Sequence, residues 1–215
     1  MAGGFSHAVL LGMGGSSLAA EVLSLSFKGI AEGLTLSILD STDPRQVLNT
    51  EEKYPLEKTL YIVSSKSGGT SEVQALLKYF YNLAKTKLGE KAGKHFVAIT
   101  DPDTVLAKQA MEMKFRKVFY ADPTVGGRFS ALTSFGLVPA GLMGVELDTF
   151  IQKTKDFCEL CRPGVPVGRN PGLVLGVILA EAAKHGIDKL TIVAEEPFRS
   201  FGSWMEQLVA ESSGK

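Results

Sequence analysis

The chain has 215 residues, room for one full α/β domain and additional structure. Hydrophobic residues make up 45% and charged residues 21%, and 23 Lys plus Arg are matched by 23 Asp plus Glu. A net charge of zero argues against a nucleic-acid partner but leaves room for a local basic pocket.

In chain order, "HAVLLGM" reads as a buried strand, apolar and bounded by glycine, and "SSLAAEVLSLSF" as a helix behind it. "LTLSILD" is a second strand, and the Asp43-Pro44 step after it is a helix start. "TLYIVSS" is a third strand, followed by a long helix with Leu76, Leu77, Phe80 and Leu83 on one face. "KHFVAIT" and "DPDTVLAKQAMEM" repeat the strand-helix rhythm, as do "KVFYA" and "FSALTSFGLVPAGLMG". Five strands, each followed by a helix, predict an α/β fold of three layers, with a five-stranded parallel sheet between helices.

After about residue 148 the rhythm changes. Two helices, "LDTFIQKTKDFCELC" and "PGLVLGVILAEAAKHG", flank a Pro/Gly/Arg loop, and then come a strand, "KLTIVAEE", and a helix, "SFGSWMEQLVAES". The expected division is therefore a first domain over 1–147, and over 148–215 linker helices and the start of a second α/β unit. A strand and helix at the very end predict that the chain is a fragment of something longer. Cys158 and Cys161 lack the second pair a structural zinc site needs, so free thiols and no metal are expected. "MAGGFSHAVL" carries no secretory pattern, and the apolar stretch containing Pro139 is shorter than the roughly 18 residues of a spanning helix. These features predict a soluble, cytoplasmic protein with no membrane partner.

Two strand-to-helix turns carry the chemistry. "GMGGSS" places Gly12, Gly14 and Gly15 after the first strand. A dinucleotide fingerprint would need glycine where Ser17 stands, although Asp40 ends the second strand at a plausible distance for a ribose. The preferred reading is a tight turn that lets a ligand approach the backbone, with Ser16 and Ser17 capping the helix. "SSKSGGTSE" follows the third strand. Ser65, Ser67 and Thr70 can donate hydrogen bonds, Gly68 and Gly69 free the backbone, Lys66 adds a charge, and the next helix points its positive end there. The lysine precedes the glycines, so this is no P-loop, and a phosphate monoester is the expected anion.

Together "GMGGSSL" and "SSKSGGTSE" resemble a sugar isomerase (SIS) domain, a flavodoxin-like class that binds phosphosugars. Further on, "VGGRFS" sets Arg128 behind a glycine pair after the fifth strand. Gln207 and Glu211, one helical turn apart, face one side near "ESSGK". The glycine loop, the S-K-[ST]-x-x-T loop, G-G-R-[FY]-S and E-S-x-G-K, in that order, resemble the phosphoglucose isomerase family. The wording around the last two is most similar to the isomerase part of bifunctional transaldolase/phosphoglucose isomerases.

The resemblance implies interconversion of glucose 6-phosphate and fructose 6-phosphate through a cis-enediolate, without cofactor or metal. It makes Ser65, Lys66, Ser67 and Thr70 the phosphate loop, and Gly15 and Ser16 sugar contacts. Gly127 and Arg128 would stabilise the intermediate, Gln207 would be a polar contact, and Glu211 the general base. It further implies a homodimer when intact, with a phosphosugar as the small-molecule partner. The chain departs from the family pattern in Gly69, where threonine is usual. The family's ring-opening histidine and distal lysine would lie beyond the last motif, and His7, His95 and His185 match no such motif and read as structural. The alternatives are a non-catalytic phosphosugar-sensing module, which needs the phosphate loop but no base, and a NAD-binding oxidoreductase.

Overall fold

The computed structural model describes residues 4–29 and 32–214. Its sheet contains β1 (His7–Gly12), β2 (Thr35–Leu39), β3 (Thr59–Ser64), β4 (Phe96–Thr100) and β5 (Lys117–Tyr120). All are parallel, in the order β2-β1-β3-β4-β5. This is the flavodoxin-like order, in which the sheet reverses direction of growth between β1 and β3.

The central strands are continuous apolar runs because both faces are covered. On one face α2 (Pro44–Lys53), α3 (Ser71–Leu88) and α4 (Val105–Glu112) enclose a core that includes Val47, Val63, Leu76, Leu77, Phe80 and Leu106. Tyr61 stacks there between Phe80 and Phe96, at centroid distances of 4.9 and 5.1 Å. On the other face α1 (Leu18–Ser26) and α5 (Ser134–Met143) cover Ala8, Leu10, Leu60, Ile62 and Ile99. Burying one such side chain contributes about 1.5–3 kcal/mol, so the strands are held by the layers on either side.

Local sequence sets several boundaries. Asp43 caps α2, its carboxylate accepting from Arg45 N and Gln46 N, with Pro44 at the first helical position. The expected cap at α1 does not form: Ser17 stands at the cap position, but its hydroxyl donates back to the Gly14 carbonyl at 3.2 Å. A 3-10 turn at Gly14–Ser16 brings that carbonyl within reach first.

Beyond α5 the chain divides into two compact units, one of Met1–Val145 with Ala194–Lys215 and one of Glu146–Val193. The second holds α6 (Leu147–Leu160) and α7 (Pro171–Lys184), and neither helix has a buried residue. The strand expected at 189–196 is absent: residues 187–195 are irregular and carry no sheet pairing. Its apolar side chains Leu190, Ile192 and Val193 are exposed. A strand persists only with a neighbour to complete its hydrogen bonds, and none is supplied among the described residues. The final helix, α8 (Phe201–Ser213), belongs to the first unit and packs on α1.

Candidate functional site

The register places the ends of β1 and β3 side by side, with Gly12 opposite Ser64, and the end of β4 beside both β3 and β5. The loops that leave these strands therefore gather at one edge, where open parallel sheets bind ligands.

The glycine loop is pressed against the arginine loop. A Cβ on Gly15 would lie 2.7 Å from the Gly127 carbonyl carbon and oxygen, so only glycine permits this approach. The Ser130 hydroxyl donates to the Gly15 carbonyl at 3.0 Å, and the Ser64 hydroxyl to the Ser16 carbonyl at 2.7 Å. These two bonds tie the turn to its neighbours on both sides.

The loop after β3 is organised by its hydroxyls. Ser65 Oγ and Thr70 Oγ1 are 3.1 Å apart, and Ser67 Oγ accepts from Gly69 N at 3.3 Å. Thr70 stands at the N-cap of α3, yet its side chain makes no cap bond, which leaves the first N–H groups of the helix uncapped by a side chain. Gly68 has φ +68°, and a Cβ there would meet Thr104 at 2.7 Å. The loop is thus shaped by the residue type at its centre.

Lys66 is engaged rather than free. Its Nζ is 2.5 Å from Asp101 Oδ2 and within reach of the carbonyls of Asp122 and Pro123, at 3.5 and 3.4 Å. Asp101 escaped sequence reasoning, although its place at the end of β4 put it on the same sheet edge. Asp122 at the next loop is held below the usual carboxylate range by hydrogen bonds from Thr124.

Across the glycine loop, α8 brings Gln207 and Glu211 to Arg128. Gln207 Nε2 donates to Glu211 Oε1 at 2.8 Å, and Arg128 Nη1 lies 3.7 Å from Glu211 Oε2. Arg128 Nε donates to Ser212 Oγ at 3.0 Å, and the guanidinium lies over the Phe129 ring at 4.7 Å. Gln207 Nε2 also sits 3.1 Å from where a Cβ on Gly14 would be. All ten sequence-predicted residues therefore lie on three adjoining loops and one helix of the first unit. Lys215, the last residue of the fourth motif, lies outside the described residues. Ser64, Ser130 and Ser212 stand inside the quoted motifs, but their partners Ser16, Gly15 and Arg128 are set by how the loops and α8 pack together, which the spacing does not report. Among the described residues no cluster of His, Cys, Asp or Glu is placed to hold a metal, and no helix is long and apolar enough to cross a membrane.

The flavodoxin-ordered sheet, with a hydroxyl-lined loop at a helix N-terminus and an Arg-Glu pair on an adjoining loop and helix, places the chain in the α/β class and offers donors suited to a small anion near a carboxylate. The phosphoglucose isomerase family model matches residues 2–215, and the chain belongs to that family. It is 32% identical over 96% of its length to a glucose-6-phosphate isomerase of Thermus thermophilus, covering 49% of that protein. It is 30% identical to the one of Methanocaldococcus jannaschii over 99% of its length, covering 51%. A solved glucose-6-phosphate isomerase from Chlamydia trachomatis superposes with a TM-score of 0.86 at 25% identity, covering all of this chain and 41% of that one. A solved Thermus thermophilus protein described as hypothetical gives 0.85 at 31% identity, covering 97% and 49%. The chain spans about half the length of the curated relatives it matches.

Proposed function

We propose that the intact protein carrying this chain interconverts glucose 6-phosphate and fructose 6-phosphate by proton transfer. The observation that carries this reading is the Glu211 carboxylate, bonded to Gln207 and facing the Arg128 guanidinium at 3.7 Å, beside a loop suited to a phosphoryl group. Ser65, Ser67, Thr70 and the α3 N-terminus hold the phosphate, and Gly15, Ser16 and Gly127 line the approach of the sugar backbone. Aldose-ketose isomerisation takes a proton from C2 and returns it to C1 through a cis-enediolate. One carboxylate serves both adjacent carbons, so Glu211 acts first as base and then as acid. Charge that develops on the oxygen during abstraction is met by the Arg128 guanidinium, which is held by Ser212 and Phe129.

Ring opening needs a further acid-base group, which we assign to the half of the intact protein that the relatives have and this chain does not span. The same half would pair with residues 189–196 as the start of a second α/β unit, and a homodimer working in the cytoplasm completes the reading. The wording of the last two motifs supports a finer assignment, the isomerase part of a bifunctional transaldolase/phosphoglucose isomerase. In the intact protein Glu211→Gln is expected to abolish turnover of fructose 6-phosphate while hexose phosphate still binds in calorimetry. Undiminished turnover would remove Glu211 as the base, and hexose phosphate bound without any turnover by the unmodified protein would favour a phosphosugar-sensing module instead.

A further inference from the structure

Lys66 lies at the centre of the hydroxyl loop, but its ammonium is committed elsewhere. It bonds Asp101 Oδ2 at 2.5 Å with side-chain exposures of 25% and 15%. The other Asp101 oxygen, Oδ1, is buried and has no hydrogen-bond partner among the described residues. The carboxylate therefore depends on Lys66 for its compensation, and separating the pair would leave a poorly solvated charge behind.

The pair spans three loops. The loops after β3 and β4 are already zipped together: Ser65 N donates to Ile99 O at 3.0 Å, Asp101 N to Lys66 O at 3.2 Å, and Thr100 Oγ1 to Lys66 O at 3.4 Å. From this joined edge, the Lys66 ammonium reaches the carbonyls of Asp122 and Pro123 in the loop after β5. That loop runs on to Gly126, Gly127 and Arg128. A displacement of about 1 Å in a catalytic group can cost on the order of a hundredfold in rate, so the spacing of these loops has kinetic weight.

We propose that Asp101 is a positioning residue: by fixing the Lys66 ammonium it sets the distance between the phosphate loop and the loop that carries Arg128. This rests on the isomerase reading of the site. It implies that the phosphoryl group is held by hydroxyls and main-chain N–H groups, with the Lys66 charge cancelled by Asp101 rather than presented to the ligand.

The test is steady-state kinetics of the intact protein with fructose 6-phosphate, together with backbone amide exchange. Asp101→Asn is expected to lower kcat about tenfold or more and leave KM within about threefold, because an arginine out of register impairs the transition state more than substrate binding. Lys66→Met should act alike, the double variant should be no worse than either single one, and Lys66→Arg should retain most of the rate. Amides of residues 122–128 should exchange faster in Asp101→Asn. Unchanged kcat with a lowered KM would make Lys66 a phosphate ligand that Asp101 restrains, and would overturn the proposal. A lower Tm with kcat and KM both unchanged would reduce the pair to a structural contact and overturn it equally. If the unmodified protein shows no isomerase activity, the isomerase reading fails by itself, and unchanged exchange in 122–128 then sinks the positioning role.

Discussion

Gly15 is a tight point of the site, since its α-carbon faces the Gly127 backbone where a methyl group would stand 2.7 Å from both carbonyl atoms. Neither neighbour is a flexible side chain, so Gly15→Ala must move one of the two loops. The expected outcome is a loss of about a hundredfold in kcat of the intact protein, with the fold retained by circular dichroism. The contact also explains what could be read from the letters alone. Three of the motifs stand together because they lie on loops that leave strands at one edge, and the fourth ends α8, which packs against α1 and the glycine and arginine loops. The pairing of Lys66 with Asp101 could not be read, because which partner a lysine finds depends on loop spacing set by the whole sheet. A lysine among hydroxyls signals an anion in sequence; in three dimensions a carboxylate from the next loop reaches it first.

At the scale of elements, α1 shows competing terms. Glu21 lies in its first turn, where the helix dipole favours a negative charge. Burial nevertheless pushes its carboxyl above the usual glutamate range, helped by the nearby Asp40 charge. The folded state therefore favours the protonated form and binds its proton more tightly than the unfolded chain does. Stability is then lost as pH rises from the unfolded value through the folded one. Glu21→Gln should be more stable than the unmodified chain in urea unfolding at pH 7, and the gap should close below about pH 4. The five strands and their helices were legible because buried parallel strands are continuous apolar runs and the helices show a 3.6-residue period. The run at 189–196 looks the same in letters and forms no strand, since sheet formation depends on a pairing partner that local sequence does not report. The Ser17 cap was misread for a related reason: a tight 3-10 turn offered its hydroxyl a nearer acceptor.

For the whole molecule, the first unit has its own two-sided core, while α7 is apolar on every face over residues 172–180 and unburied. Leu175, Val177 and Ile178 are exposed at 55%, 50% and 59%. A helix apolar on every face belongs in an interior, and the chain spans about half the length of its relatives. The 215-residue chain alone is therefore expected to bind a hydrophobic dye strongly and to turn over hexose phosphate at least a hundredfold more slowly than the intact protein, since about 2.7 kcal/mol of barrier corresponds to that factor. Equal rates from chain and intact protein would mean that the ring-opening group lies within these residues.

The central claim is proton transfer by Glu211, and isotope washout tests it most directly. Glucose 6-phosphate deuterated at C2 is converted by the intact protein in ordinary water, and the fructose 6-phosphate formed is read by NMR. An enediolate route with a partly exposed carboxylate predicts loss of part of the label to solvent at C1, and no conversion with Glu211→Gln. Complete retention of deuterium, with Glu211→Gln still active, would indicate a direct hydride shift and contradict the account.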